Sequence, residues 1–105
     1  MRIRYLTVIK NAEGMHEYDH GIEFSDNLSS YELPENEFEA LFSADVFENI
    51  NKTCGLLIGD YESELIEKKY LKKCIEIVEN AGIGKVFLDA LQEAESNGVA
   101  LGLDF

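Results

Sequence analysis

The chain has 105 residues, a formal net charge of −12 and 46% hydrophobic residues, among them five Tyr and six Phe. This length predicts a single domain over residues 1–105, and the aromatic content excludes a disordered acidic tail. The negative charge argues against nucleic acid and anionic membranes as partners, because both would be repelled. No apolar run reaches the roughly 18 residues that a membrane-spanning helix needs, so a membrane partner is not expected.

The cysteines and the N-terminal residues predict a cytoplasmic protein. Cys54 and Cys74 lie among apolar residues and belong to no pairing motif, so we expect reduced thiols in the core. The first residues are not followed by the long apolar stretch and small-residue cleavage site of a signal peptide. Both observations are typical of a chain that stays in the cytoplasm.

The first third of the chain predicts two strands. Residues 2–10 are rich in β-branched and aromatic side chains, which favour a strand, and residues 11–14 have the composition of a hairpin connection. Over residues 16–24, histidine and apolar side chains alternate with acids that include Glu23, which is the pattern of a half-buried second strand. Residues 25–30 are polar and predict a loop.

The sequence predicts mainly helices between Pro34 and residue 96. Pro34 suits the first turn of a helix. The clearest helices span residues 67–81 and 85–96, where apolar side chains recur every three or four positions. After a break at Ser43 the helical spacing of apolar residues continues at Val46, Phe47 and Ile50.

The order of these elements predicts the fold class. Residues 55–59 are a short apolar run between glycines, which fits either a buried strand or a connection. Residues 99–105 alternate between apolar and other side chains and predict a last strand. We therefore expect an α+β domain with a small, mainly antiparallel sheet, made of an N-terminal hairpin plus a C-terminal strand, and helices packed on one face.

Residues 16–20, His-Glu-Tyr-Asp-His, match the H-E-x-x-H pattern of zinc metallopeptidases. The chemistry requires a helix, on which both imidazoles reach one zinc ion while the glutamate activates a water molecule. On a strand His16 and His20 would lie about 13 Å apart and would not share a metal. Because the alternation favours a strand, we expect no zinc site here. A helical stripe remains as the alternative, formed by Met15, Tyr18 and Ile22.

Other catalytic or ligand-binding motifs are absent from the sequence. The glycines at 55–59 and 82–85 lack the spacing of phosphate-binding loops, and no acidic stretch has the spacing of an EF-hand. There is no third histidine, and no pair of carboxylates stands out as a general acid and base. We therefore expect a binding protein without catalytic activity, cofactor or metal.

The negative charge is concentrated in the middle third of the chain. Residues 32–67 contain ten acids and one base, Lys52, and so carry −9 of the total −12. Such a field attracts basic surfaces, and aromatic side chains set among charges are typical anchors of protein interfaces. Residues 60–64 are the first candidate interface; the alternative is that Tyr61 packs on the core while the acids cap the next helix. The full set of candidate partner-binding residues is Tyr31, Glu32, Glu35, Glu37, Glu39, Asp60, Tyr61, Glu62 and Glu64.

In size, charge and order of elements the chain resembles bacterial immunity proteins, the small acidic inhibitors of toxin domains in contact-dependent and other polymorphic toxin systems. The resemblance includes the stretch from Phe47-Glu48-Asn49-Ile50-Asn51 to Leu57-Ile58-Gly59-Asp60-Tyr61-Glu62. It implies an inhibitor that binds a basic toxin domain, often a nuclease, and blocks its substrate groove. By this analogy the carboxylates take the place of phosphates and pair with Lys and Arg of the toxin.

Three other functions remain open. A nucleic-acid-mimic regulator of a DNA-binding protein would carry its acids along an elongated face at phosphate-like spacing. An acidic adaptor module would use its charge only for solubility. A zinc peptidase would need a helix at residues 15–22 and a bound metal.

Overall fold

The computed structural model describes residues 3–22 and 24–105, and in these ranges it contains four strands and five helices. The strand positions predicted at Arg2 and Glu23 lie outside the described residues. The strands are β1 (Arg4–Ile9), β2 (Leu28–Leu33), β3 (Ser63–Glu67) and β4 (Ala100–Asp104). The helices are α1 (Ala12–Asp19), α2 (Glu35–Ser43), α3 (Val46–Cys54), α4 (Lys68–Ala81) and α5 (Lys85–Asn97).

The strands form one antiparallel sheet in the order β2-β1-β4-β3. The predicted α+β class is thereby confirmed, with β1 and β2 as the N-terminal antiparallel pair and β4 as the C-terminal strand. The register places Asp104 of β4 between Tyr5 of β1 and Ser63 of β3. The strand that comes last in sequence therefore lies inside the sheet and links its two halves.

The two faces of the sheet are covered unequally. One face carries the main core, in which Leu6, Val8 and Leu101 pack with buried side chains of α2, α3, α4 and α5. The residues between them in sequence point to the opposite face, because successive side chains of a strand alternate. There α1 packs on a small second cluster formed by Ile9, Leu28 and Ala100. We call this second side the outer face.

The predicted strand over residues 16–24 is wrong, because α1 occupies most of that stretch. The side chain of Asn11 accepts a hydrogen bond from the backbone N–H of Gly14 at 2.8 Å and so caps the helix, where a hairpin connection was predicted. Gly14 lies against the backbone of Asn27 so closely that a Cβ atom would clash. This contact requires glycine and holds α1 against the start of β2.

The predicted loop at residues 25–30 is wrong for its second half. Leu28, Ser29 and Ser30 pair with Ile9, Val8 and Thr7 in the register of β1 and β2. Serines are poor strand formers on their own, so the hydrogen bonds of the neighbouring strand decide their conformation. The sequence gives no local signal for this strand.

The helices after residue 34 follow the prediction closely. The structure confirms the helix that begins after Pro34, the break at its end and the long helices α4 and α5. Gly82 has a φ of 70° and ends α4, a conformation that glycine adopts without strain. Residues 55–59 form a connection and not a buried strand. No helix among the described residues is long and apolar enough to cross a membrane.

Both cysteines lie in the main core, where they were predicted. Cys54 on α3 and Cys74 on α4 are free and buried, with their Sγ atoms 3.9 Å apart, which is far beyond a disulfide bond. Burial raises the pKa of the Cys74 thiol, and the neighbouring Cys54 raises it further. The pair therefore behaves as two small apolar side chains that join α3 to α4.

Candidate functional site

Arg4 is a buried cation at the start of β1. Its side chain is 4% exposed, and its guanidinium lies 3.7 Å from the ring centre of Phe38 on α2. It donates one hydrogen bond to Glu35 and one to Oδ1 of Asp60, the latter at 2.7 Å. Burial alone would lower the pKa of Arg4, but the hydrogen bonds and charges of Asp60 and Glu35 outweigh it and raise the pKa. Arg4 thus ties the segment after α3 to the first turn of α2.

An open groove of about 270 Å³ lies beside this ion-pair cluster. Among the described residues its charged lining consists of Arg4 and the carboxylates of Glu35, Glu39 and Asp60, which together carry a net charge of −2. Phe42 adds an exposed aromatic edge, with 54% of its side chain accessible. We call this site the acidic groove. It is lined by Arg4, Glu35, Phe38, Glu39, Phe42, Ser43 and Asp60.

The acidic groove is suited to a single cationic side chain from another molecule. Glu39 is exposed, and its side chain forms no hydrogen bond or ion pair with any other described residue. A Lys or Arg entering here would meet Glu39 first, next to the carboxylates that hold Arg4. The ring of Phe42 would contact the same cation, an arrangement that stabilises ammonium and guanidinium groups over aromatic faces.

Two of the predicted interface acids, Glu37 and Glu64, accept hydrogen bonds from backbone N–H groups of this chain. Oε2 of Glu37 accepts hydrogen bonds from the backbone N–H groups of Val86 and Phe87 at 3.0 and 3.1 Å. It therefore caps the first turn of α5, which has no capping side chain of its own. Glu64 accepts a hydrogen bond from the backbone N–H of Leu57 at 2.6 Å. These two carboxylates are unsuited to a partner, because they already bind backbone donors of this chain.

Tyr31 and Glu32 were both predicted to bind the partner, but they lie on opposite faces of the sheet. Tyr31 points to the helix side, packs on the main core and donates a hydrogen bond from its hydroxyl to Glu93 of α5. Glu32 is exposed and shares the outer face with Tyr5, its partner in register. The structure thus separates these two predicted residues from each other.

The remaining predicted residues lie on the loop before β3. Tyr61 is 79% exposed, which contradicts the alternative that it packs on the core. Its φ of 65° lies in the left-handed region, which is rare for a tyrosine. Glu62 is exposed beside it. This loop is continuous with the acidic groove through Asp60, so the groove and the loop form one surface with Glu35 and Glu39.

Alkaline pH is expected to destabilise the fold through Tyr31. Its pKa is raised from 10.0 to about 12, first by the hydrogen bond to Glu93, then by burial and by the charges of Glu93 and Asp89. Unfolding therefore releases this proton between those two pH values, and stability falls as the pH rises through them. Urea midpoints measured across this window should fall less steeply in Tyr31→Phe than in the wild-type protein.

Tyr61→Phe, which removes a phenol from an exposed position, is the control for that experiment. If the urea midpoints of the wild-type and Tyr31→Phe proteins fall equally steeply with pH, the hydrogen bond to Glu93 does not raise the pKa of Tyr31. Burial and Asp104 also raise the pKa of Tyr18, so a residual slope is expected in Tyr31→Phe.

The strand predicted for the H-E-x-x-H motif is wrong, because residues 16–19 lie on helix α1. His16 and His20 are one turn apart with ring centres separated by 4.2 Å, and Nδ1 of His20 lies 2.8 Å from the backbone oxygen of His16. Glu17 accepts hydrogen bonds from Ser25 and Asn27 and so holds the loop before β2. Among the described residues, no group of three or more His, Cys, Asp or Glu is placed to hold a metal ion.

Sequence reasoning missed Arg4 and Phe42. A signal for Arg4 is present, because it shares the strand alternation of Leu6 and Val8 and therefore points into the core. A buried arginine requires carboxylate partners, but nothing local says which of the many acids supply them. Phe42 follows the helical spacing of core residues, yet it lies at the exposed edge of α2.

Comparison with known proteins found no matching family model, no matching curated protein and no matching solved structure. The function therefore has to be inferred from the side chains of this chain.

Proposed function

We propose that this chain is an inhibitor of the immunity-protein kind, which binds a basic toxin domain through the acidic groove and the loop next to it. The function is binding, without catalysis. The toxin partner is expected to be a nuclease, because a nuclease presents Lys and Arg in a groove built for phosphates. The carboxylates of the inhibitor would pair with those cations and exclude the nucleic acid.

The observation that carries this proposal is the convergence of carboxylates from two distant parts of the middle third. Glu35 and Glu39 come from α2, and Asp60 comes from the segment after α3, yet all three line one groove. Arg4 is the one cation among the described residues that line the groove, and the surrounding residues 32–67 carry −9. A local excess of negative charge steers a basic partner and speeds its association.

Exposed aromatic side chains favour a protein partner over mimicry of a nucleic-acid backbone. Phe42 and Tyr61 are 54% and 79% exposed beside the carboxylates. Aromatic anchors surrounded by charged residues are typical of protein interfaces. A phosphate mimic needs charges in a long row, whereas the extents of this fold are 34 × 32 × 22 Å, with the carboxylates gathered at one groove.

Reversing Glu39 is the sharpest test of this proposal. Glu39→Lys changes the charge of the groove without touching the partners of Arg4, so the fold should remain intact. If the gene immediately upstream encodes a toxin domain, as this proposal expects, the association rate with that domain should fall by about tenfold or more, as for steered pairs. Glu79→Lys on the exposed surface of α4 makes the same charge change elsewhere and is the matched control. Association rates are measured by biolayer interferometry.

Salt dependence and cell protection complete this test. The wild-type association rate should fall between ~0.01 and ~0.15 M ionic strength, because the Debye length shrinks from roughly 30 to roughly 8 Å. Glu39→Lys should flatten that dependence and abolish protection of cells that express the toxin. Equal association rates for Glu39→Lys and Glu79→Lys would overturn the assignment of the acidic groove as the interface.

Changing Asp60, Glu62 and Glu64 together to Lys would also reverse the charge of this surface, but it is a poorer test of the interface than Glu39→Lys. Asp60 binds the buried Arg4, and Glu64 binds the backbone of Leu57. Lysines at those two positions would break contacts within the fold, so loss of binding would not distinguish an interface from unfolding.

A further inference from the structure

The outer face of the sheet is covered at one end only. Helix α1 packs over Ile9, Leu28 and Ala100, which leaves the end of the sheet around Tyr5 and Asp104 without a helix. A pocket of about 530 Å³ opens there, which is within the range of small-molecule sites. We call it the outer pocket; its polar lining includes Thr7, Tyr18, Asp19, Ser30, Ser63 and Asp104.

Thr7 supplies a polar group that the fold leaves without a partner. Its side chain is only 7% exposed and lines the outer pocket from the middle of β1. Its hydroxyl makes no hydrogen bond with any described residue. Among the described residues Arg4 Nε is the one buried side-chain polar atom without a partner, so the Thr7 hydroxyl is open to the pocket. A ligand group that reaches Thr7 would replace water as the hydrogen-bond partner of this hydroxyl.

Asp104 is held in place at the opposite side of the pocket. The hydroxyl of Tyr18 donates to its Oδ2 at 3.0 Å, and the hydroxyl of Ser63 donates to its Oδ1 at 3.0 Å. The ring of Tyr18 lies directly on Gly102, where a Cβ atom would clash with it. Glycine at position 102 therefore lets α1 bring this hydroxyl to Asp104. A carboxylate positioned in this way is preorganised for a cationic ligand.

The charge of the pocket is negative and its rim is apolar. Asp19 adds a second carboxylate, and no Lys or Arg is among the described lining residues. Tyr5, Ile22 and Phe24 contribute exposed apolar surface, with 40, 44 and 86% of their side chains accessible. The pocket thus offers two anionic groups, free hydroxyls and an apolar edge to one ligand.

We propose that the outer pocket binds a small organic amine with an aromatic or alkyl body. The protonated nitrogen would donate to Asp104 and Asp19, and the body would pack between Tyr5 and Phe24. A hydroxyl on the ligand would reach Thr7. This site lies on the opposite face of the sheet from the main core, and the proposal does not depend on the function assigned to the acidic groove.

Three ligands with the same phenol and different charges test this proposal. Tyramine carries the amine, 4-ethylphenol is its neutral counterpart, and 3-(4-hydroxyphenyl)propanoate is the anion. In ¹H–¹⁵N spectra of the full chain, tyramine should shift the backbone signals of Thr7, Ser30, Gly102 and Asp104. The neutral phenol should bind at least about tenfold more weakly, which corresponds to the loss of one charged contact. The anion should give no shifts.

Variants distinguish the effect of the pocket carboxylates on tyramine binding from the effect of the overall charge of the protein. Asp104→Asn should weaken tyramine binding by about tenfold or more, and Thr7→Val should weaken it by a smaller factor. Asp26→Asn removes an exposed carboxylate that does not line the pocket and should leave binding unchanged. If Asp104→Asn loses the dispersed spectrum of the folded protein, Asp19→Asn provides the same test at an exposed side chain.

Three results would overturn the proposal. The first is equal affinity for tyramine and 4-ethylphenol. The second is tyramine-induced shifts confined to the acidic groove around Glu39. The third is a lysine-rich peptide that shifts the pocket signals while tyramine does not, since that result would assign the pocket to a protein partner.

Discussion

Removing both partners of Arg4, with Glu35→Ala and Asp60→Ala in one chain, is expected to lower the free energy of unfolding by about 3–5 kcal/mol. Arg4 is 4% exposed and would remain charged, because arginine does not release its proton in proteins. Its Nε already lacks a hydrogen-bond partner among the described residues. Without the two carboxylates, the guanidinium would be a buried charge that still contacts the ring of Phe38 but has lost both of its anionic partners among the described residues.

The matched control for this experiment is Glu39→Ala with Glu62→Ala, which removes the same number of charges from exposed positions. Each change should cost less than about 0.5 kcal/mol. Arg4→Met should cost less than loss of the two carboxylates, since Glu35 and Asp60 are 49 and 42% exposed and can bind water. The free energies come from urea unfolding followed by circular dichroism. A double variant as stable as its control would show that the ion pairs contribute nothing net to stability.

The second large effect is expected in the core at α4. Leu71 is fully buried there, so Leu71→Ala should cost about 2–5 kcal/mol, through lost burial and the cavity that remains. Ile77→Ala should cost less, because Ile77 is only half-buried. Lys72→Ala, on the exposed side of the same helix, is the control and should cost less than about 0.5 kcal/mol. Urea unfolding measures all three.

Lys68 does not belong with the exposed controls, although it lies on the same side of α4. Its Nζ donates hydrogen bonds to the backbone oxygens of Glu95 and Gly98, both at 2.8 Å. It therefore caps the C-terminal end of α5, and Lys68→Ala should cost about 1 kcal/mol. A cost for Lys72→Ala that equals the cost for Leu71→Ala would show that the buried side of α4 has been assigned wrongly.

The elements that could be predicted are those whose local pattern agrees with their environment. Leu71, Cys74 and Val78 recur at helical spacing, and all three are buried on one side of α4. Gly82 ends that helix in the conformation that its sequence signal implies. Where burial and periodicity coincide in this way, the sequence alone suffices.

Helix α1 was predicted only as the alternative, because it buries so little that its helical stripe of Met15, Tyr18 and Ile22 is weak. It contributes only the half-buried side chains of Met15 and Tyr18 to the small cluster on the outer face. The alternation from His16 onward therefore gave a stronger signal than the true period. The cap at Asn11 was the decisive local feature, but an asparagine with a glycine three residues later also fits a hairpin connection.

The high number of acidic residues in the candidate site could be predicted, but the contact that each carboxylate makes could not. Glu37 caps a helix that starts 48 residues later at Lys85, and Asp60 binds an arginine 56 residues earlier. Such contacts depend on how distant elements pack, and nothing near these residues in sequence indicates them. Only after these structural acids are set aside does Glu39 emerge as the carboxylate of the acidic groove that forms no side-chain contact with another described residue.

The position of β4 between β1 and β3 has a consequence for the nascent chain. During synthesis β1 and β3 both leave the ribosome before residues 100–104, which must later insert between them. Until then β1 and β3 each have an unpaired hydrogen-bonding edge, which can pair with strands of other chains. The pairing of β4 with β1 also joins residues that are far apart in sequence, and such contacts slow folding. Emergence of residues 100–104 from the ribosome, more than emergence of the early strands, therefore sets the moment at which the sheet can be completed.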